Sequence, residues 1–154
     1  MDRSKRSLEE FKVSDSLVNK LLETLEIFKE NNLKSHDTTL TKKGFQTHNI
    51  FELKTTIELK DEIMKVIKKD LDLFHVHLIE YEHQGEQEPH DHKNSEDYSF
   101  ILYLNDSDGN TVFEDWGEIK PEKGKLVFFD SDIIHFGKPS IKGKKIAVGA
   151  LKKH

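Results

Sequence analysis

A chain of 154 residues and 18.0 kDa is the length of one domain, with room for a real core and none for two. It has no cysteine, which excludes a disulfide scaffold, a thiolate zinc finger, an iron–sulfur protein and a cysteine nucleophile. Its mean hydropathy of −0.69 and the absence of any apolar stretch near 18 residues exclude a membrane-spanning helix.

The net charge of −5 is unevenly spread. Residues 1–79 balance at 14 basic and 14 acidic side chains, residues 80–118 carry 12 acids against Lys93 alone, and residues 138–154 carry six lysines and no acid. An acidic chain lacks the basic footprint of a general nucleic-acid binder, so no nucleic-acid or membrane partner is expected. The lysine-rich tail suits a solvated strand edge. Met1 to Arg6 are charged with no apolar run behind them. No secretory leader is expected, and the cytoplasm is the expected compartment.

In chain order, Ser14-Asp15-Ser16 offers N-caps for a helix in which Leu17, Leu21, Leu22, Leu25, Ile27 and Phe28 face inward, stopping at Asn31-Asn32. Residues 33–50 are polar and read as a loop that can hold a short strand. A second helix is expected from Thr56 to Asp70 with Ile57, Ile63, Met64, Val66 and Ile67 inward. The period then changes to two. Phe74 to Tyr81, Tyr98 to Asn105, Thr111 to Glu114, Lys125 to Asp130, Ile133 to Phe136 and Lys145 to Leu151 read as strands, with Gly109, Gly124 and Gly143 at turns. The pattern predicts one α+β, mainly β domain: a helical support region (1–72) and a sandwich or small barrel (73–154).

Nine histidines are many for this length. His36, His48, His83 and His154 lie in polar surroundings and read as surface residues. His75 and His77 share one face of a strand, as ligands or as core histidines. His90-Asp91-His92 follows a polar loop, Gly85 to Pro89. Two imidazoles at i and i+2 on an extended chain point the same way and can reach one ion. His135 follows 43 residues after His92 on another short strand. Three convergent histidines make a metal face suited to iron, zinc, copper or nickel, with positions left open for chemistry.

Around these residues the sequence resembles the 2-oxoglutarate- and iron(II)-dependent dioxygenases, in their prolyl-4-hydroxylase-like branch. The resemblance covers residues 73 to 151. It rests on Tyr81, His90-Asp91-His92, Ile101-Leu102-Tyr103-Leu104-Asn105, Gly109-Asn110-Thr111-Val112-Phe113, Pro121 to Phe129, His135-Phe136-Gly137-Lys138-Pro139 and Lys142-Gly143-Lys144-Lys145, all in order. It implies a double-stranded β-helix, or jelly roll, with iron(II) held by His90, His92 and His135 as the catalytic centre. It also implies that Lys145 binds the distal carboxylate of the cosubstrate 2-oxoglutarate, helped by Tyr103, with Tyr81 lining the same pocket. Such an enzyme couples decarboxylation of 2-oxoglutarate by O2 to hydroxylation of a C–H bond in a peptidyl, for example prolyl, or small-molecule substrate.

Strand period supports an inward lysine: Lys145, Ala147 and Gly149 share a face, and an inward lysine is costly unless it meets an anion. A slip of one residue would turn Lys144 inward instead. Two departures stand out. The family's usual carboxylate ligand is replaced by His92, which removes one negative charge from the metal's ligand set. Asp91 points the opposite way, and Glu88, Glu96 and Asp97 are the other carboxylates nearby. A lysine also stands where an arginine fork is usual. Two other functions remain open: a cupin-like three-histidine zinc, nickel or manganese protein acting as hydrolase, isomerase or binder, and a barrel without chemistry. Trp116 either lines the substrate entrance or packs over the rim. The acidic 80–118 segment either steers a cationic substrate or is a solvated loop.

Overall fold

Helix α1 (Asp15–Glu30) starts where Ser14 caps it. The Ser14 hydroxyl oxygen accepts the Leu17 N–H at 3.3 Å and donates to Glu62 on helix α2 (Lys54–Ile67) at 2.9 Å. Ser14→Ala should cost about 1 kcal/mol, read as a lower denaturant midpoint at unchanged slope. The computed structural model describes residues 7–33, 41–90 and 97–154, giving the backbone over 41–43 and 83–90.

The strands are β1 (Leu8–Lys12), β2 (Thr41–Gln46), β3 (Asp72–His90), β4 (Tyr98–Tyr103), β5 (Thr111–Phe113), β6 (Gly117–Ile119), β7 (Lys125–Asp130), β8 (His135–Gly137) and β9 (Lys144–Lys152). They pair antiparallel in the order β1-β7-β4-β9-β3-β8-β5-β6, with β2 also on β3. Strand β3 is used twice: Asp72 to Tyr81 pairs with β9, and Gln87 and His90 pair with β8. One long strand thus passes from a larger layer (β1-β7-β4-β9-β3) to a smaller one (β8-β5-β6). This is the two-layered jelly roll expected from the sequence, mainly β with two helices.

Side-chain alternation divides the core in two. Val76, Leu78, Phe100, Leu102, Leu126 and Phe128 meet the helices through Leu17, Leu21, Leu25, Leu59 and Ile63. Their neighbours Ile79, Tyr81, Ile101, Tyr103, Val127, Phe129 and Ile146 face the barrel interior with Phe113 and Ile133.

Several expected details are corrected. Ile27 and Ile57 are each 55% exposed rather than inward. Thr56 and Leu59 take the inward positions on α2, which ends at Ile67 because Lys68 turns left-handed (φ 56°) and donates its N–H to Met64. Strand β1 precedes the first helix and pairs with β7; its sequence, Leu-Glu-Glu-Phe-Lys, has no period-two pattern to reveal it. Residues 85–90 continue β3 rather than forming a loop. The short strand β6 was also not expected.

Candidate metal and cosubstrate site

Strand β8 opens on His135, which is 5% exposed. Its Nδ1–H donates to the Ile133 carbonyl at 3.1 Å. A carbonyl can only accept, so Nε2 of the neutral ring carries the lone pair, the form a metal ligand needs. The ring stacks on Phe113 (centroids 5.7 Å apart) and meets the edge of Phe129 (5.0 Å). The hydrogen bond to Ile133 fixes the proton on Nδ1, and the two phenyl rings help to orient the imidazole.

His90 is the ladder partner of His135 between β3 and β8. Directly paired residues in an antiparallel ladder have Cα atoms about 4.5–5.5 Å apart. The structure thus brings two of the three expected ligand positions together. Asp91, His92 and Glu96 lie outside the described residues, as does His36, and the Glu88 and His83 side chains are likewise not described. Asp97 accepts the Lys153 backbone N–H at 2.8 Å. Among the described residues no three metal-ligating side chains converge.

The lysine expectation is reversed. Lys144 is the inward residue, 2% exposed. It sits opposite Tyr81 in the ladder, and its Nζ lies 5.1 Å from the centre of the Tyr81 ring. Lys145 points the other way, toward α1. There its ammonium lies 3.5 Å from Glu80 and 3.8 Å from Glu26, in an ion cluster that includes Lys29. The reason is register: Lys144, Ile146 and Val148 share the barrel face, whereas Lys145, Ala147 and Leu151 share the helix face.

The Lys144 ammonium donates to the Gly109 carbonyl at 2.9 Å. Among the described residues no carboxylate lies within ion-pair distance of it. Burial pulls its pKa down from 10.5 to about 8, while the charge of Asp108 opposes the fall. Among the described residues this buried cation has a single neutral hydrogen-bond acceptor, an unfavourable arrangement that an incoming carboxylate would relieve.

Tyr103 faces the same interior and is fully buried. Its hydroxyl donates to Thr111 Oγ1 at 2.6 Å. Burial pushes its pKa upward, partly offset by the Thr111 hydrogen bond, so the phenol stays a neutral donor. Thr111 pairs with Gly137 on β8, and the Lys144 ammonium occupies the space a Gly137 side chain would take. Tyr81, Tyr103, Thr111, Gly137 and Lys144 thus form one connected wall, with His135 two residues from Gly137. Thr111 and Gly137 were not singled out from sequence as site residues, although both lie inside the motifs quoted above. Tyr103→Phe should weaken any carboxylate bound at this wall by about 0.5–1.5 kcal/mol, the range of one net hydrogen bond; calorimetric titration measures it.

The other candidates fall elsewhere. His75 and His77 lie ring to ring at 4.6 Å on the surface part of β3. His77 Nδ1–H donates to the Thr47 carbonyl at 2.9 Å, and burial together with the His77 charge lowers the pKa of His75. His48 is exposed, and His154 lies 3.2 Å from Asp70. Trp116 sits in the β5–β6 turn, partly buried against the interior cluster.

Comparison with known proteins bears on the fold. Residues 76–150, just under half of the chain, match the profile of the 2OG-Fe(II) oxygenase superfamily. A search of curated protein sequences finds no match. Among solved structures, a Pseudomonas putida prolyl-4-hydroxylase is 15% identical, with 98% of this chain and 95% of that one covered and a TM-score of 0.73. The viral collagen prolyl hydroxylase of Paramecium Bursaria Chlorella virus-1, in its 2OG complex, is 16% identical, with 96% of each chain covered and a TM-score of 0.72. The alpha-ketoglutarate-dependent epimerase SnoN of nogalamycin biosynthesis is 9% identical, with 97% and 80% covered and a TM-score of 0.75. At these identities the likeness is one of fold, shared by hydroxylases and an epimerase. The barrel segment, residues 76–150, is thus similar in sequence to the 2OG-Fe(II) oxygenase superfamily, and the whole chain shares its fold with the solved structures above.

Proposed function

We propose that this protein is an iron(II)- and 2-oxoglutarate-dependent hydroxylase acting on a C–H bond of a peptidyl substrate, prolyl peptides included, or of a small molecule. The observation that carries the reading is Lys144: a buried ammonium facing the barrel interior with no carboxylate partner among the described residues. His90, His92 and His135 would hold the iron. With Fe(II) and 2-oxoglutarate bound, O2-driven decarboxylation to succinate would supply the oxidising power.

The protein's own residues have separate tasks. Lys144 receives the distal carboxylate as a point charge, and the Tyr103 hydroxyl turns its one proton from Thr111 Oγ1 to that carboxylate while accepting the Thr111 hydroxyl proton in exchange. Gly137, against which the ammonium rests, is two strand residues from His135, a rise of roughly 7 Å. That is a length a five-carbon dicarboxylate can bridge. Phe113 and Phe129 hold the His135 ring and keep water from its flanks. A third imidazole at position 92 would leave the ligand set neutral and the metal correspondingly more positive. A cysteine-free chain suits the reducing cytoplasm, where we place the protein.

The test is anaerobic visible absorption of the metal-stripped protein during titration with iron(II) and then 2-oxoglutarate. The expected result is a charge-transfer band that needs both additions. Absence of the band, together with tight zinc or nickel binding, would replace this reading with that of a three-histidine metalloprotein that performs no oxygenation.

A further inference from the structure

A lysine side chain is long and flexible, and holding it in one place costs entropy that its surroundings must offset. The Lys144 ammonium rests on the carbonyl of Gly109, which lies in the loop between β4 and β5. Lys144 itself emerges from the turn between β8 and β9. These two segments are tied together by Asp108. Its carboxylate accepts the Ser140 hydroxyl at 2.7 Å, the Ile141 N–H at 3.1 Å and the Lys142 N–H at 3.2 Å. Because the Ser140 proton goes to Asp108, the Ser107 hydroxyl donates to Ser140 Oγ at 2.8 Å. Asn105 adds a third tie by accepting the Lys145 N–H at 2.8 Å. The Ser140 hydroxyl and the backbone donors hold the Asp108 carboxyl well below the usual carboxylate range, so the clamp is ionised at physiological pH.

Gly137 also borders the ammonium. A Cβ built there would lie 2.7 Å from Lys144 Nζ. The backbone of Gly137 is not left-handed, so its conformation does not require glycine. What the missing side chain provides is space for the cation.

We propose that Asp108 and Gly137 are positioning residues that act through Lys144 to set the affinity for the cosubstrate's distal carboxylate. Asp108 does so by locking two segments together, and Gly137 by leaving a methyl-sized gap. The inference rests on the reading of Lys144 given above and extends it to two residues that need not touch the ligand.

The experiment is calorimetric titration of the Mn(II)-loaded protein with 2-oxoglutarate and, separately, with oxalate. Oxalate chelates the metal but has no distal carboxylate to reach Lys144. Asp108→Ala and Gly137→Ala should each raise the Kd for 2-oxoglutarate about tenfold, equivalent to about 1.4 kcal/mol. The Kd for oxalate should stay within about twofold of its original value, a difference of about 0.4 kcal/mol. Asp108→Asn should recover part of the loss, because its amide oxygen still accepts. Either variant combined with Lys144→Met should add nothing to the effect of Lys144→Met alone, as expected for residues acting through one group.

Equal weakening of both ligands would overturn the inference by showing a loosened barrel. Unchanged 2-oxoglutarate binding in Asp108→Ala and Gly137→Ala would overturn it as well. If Asp108→Ala does not fold, Gly137→Ala decides the same question by a separate steric route. If Lys144→Met itself leaves 2-oxoglutarate binding intact, the cosubstrate reading fails and takes this inference with it. Loss in Lys144→Met with no loss in the other two variants overturns the positioning role alone.

Discussion

Lys144→Met should weaken 2-oxoglutarate binding at least about 100-fold while leaving the metal-free protein as stable as before or more so. The two halves of this expectation have the same cause. The ammonium is buried with one carbonyl acceptor and no ion partner among the described residues. Methionine keeps all but the last atom of the side chain's length and removes the desolvated charge. Replacing buried charges by apolar groups of similar volume is often neutral or stabilising, by about 1–4 kcal/mol in the favourable cases. Removing one partner from a buried charge pair costs about 3–5 kcal/mol, so affinity for the dicarboxylate should fall by at least about 100-fold. Lys145→Ala is the control, since that side chain points toward α1 and should leave the Kd unchanged. A clear loss of metal-free stability in Lys144→Met would show that the ammonium is needed for the fold rather than for a ligand.

The same lysine predicts opposite pH trends for stability and binding. Its folded-state pKa is lowered from 10.5 to about 8, so between those values the unfolded chain binds a proton that the folded chain has released. Stability of the metal-free protein should therefore rise with pH across that window. Binding of 2-oxoglutarate needs the charged form and should weaken above about pH 8. Both trends should vanish in Lys144→Met. Urea unfolding and calorimetric titration at pH 7, 8, 9 and 10 measure them; a stability slope that survives in the variant would assign the titration to another group.

His135→Ala should have the second large effect, on the metal. The ring is buried, its Nδ1–H is committed to Ile133, and Phe113 and Phe129 set its orientation. Removing an outer hydrogen-bond partner of a ligand already costs about 10- to 100-fold in metal affinity, so loss of the ligand itself should cost more than about 100-fold. The metal-free protein loses two aromatic contacts, each about 0.5–1.5 kcal/mol, and should remain folded. The measurement is Mn(II) affinity beside a thermal melt of the metal-free variant. Wild-type metal affinity in a folded His135→Ala protein would remove His135 from the ligand set.

The sequence alone determined the kinds of element and their order over most of the chain, because burial leaves a periodic trace. Leu17, Leu21 and Leu25 mark one helix face. Lys125 to Asp130 was read with its observed bounds, and the ordered motifs around Tyr103, Thr111 and His135 pointed to the superfamily that residues 76–150 match. The trace failed where burial is one-sided or short, as in β1, β6 and the exposed Ile27 and Ile57. Tertiary structure alone decided which lysine enters the barrel. Lys144 and Lys145 are chemically identical neighbours, and period two permits either register. Pairing of Tyr81 with Lys144 across β3 and β9 makes the choice, while Glu80 and Glu26 draw Lys145 outward. Tertiary structure likewise set His90 opposite His135, 45 residues apart in the chain, and put Gly137 against an ammonium seven residues further along. Contacts of that kind depend on how strands fold across one another, which local spacing does not encode.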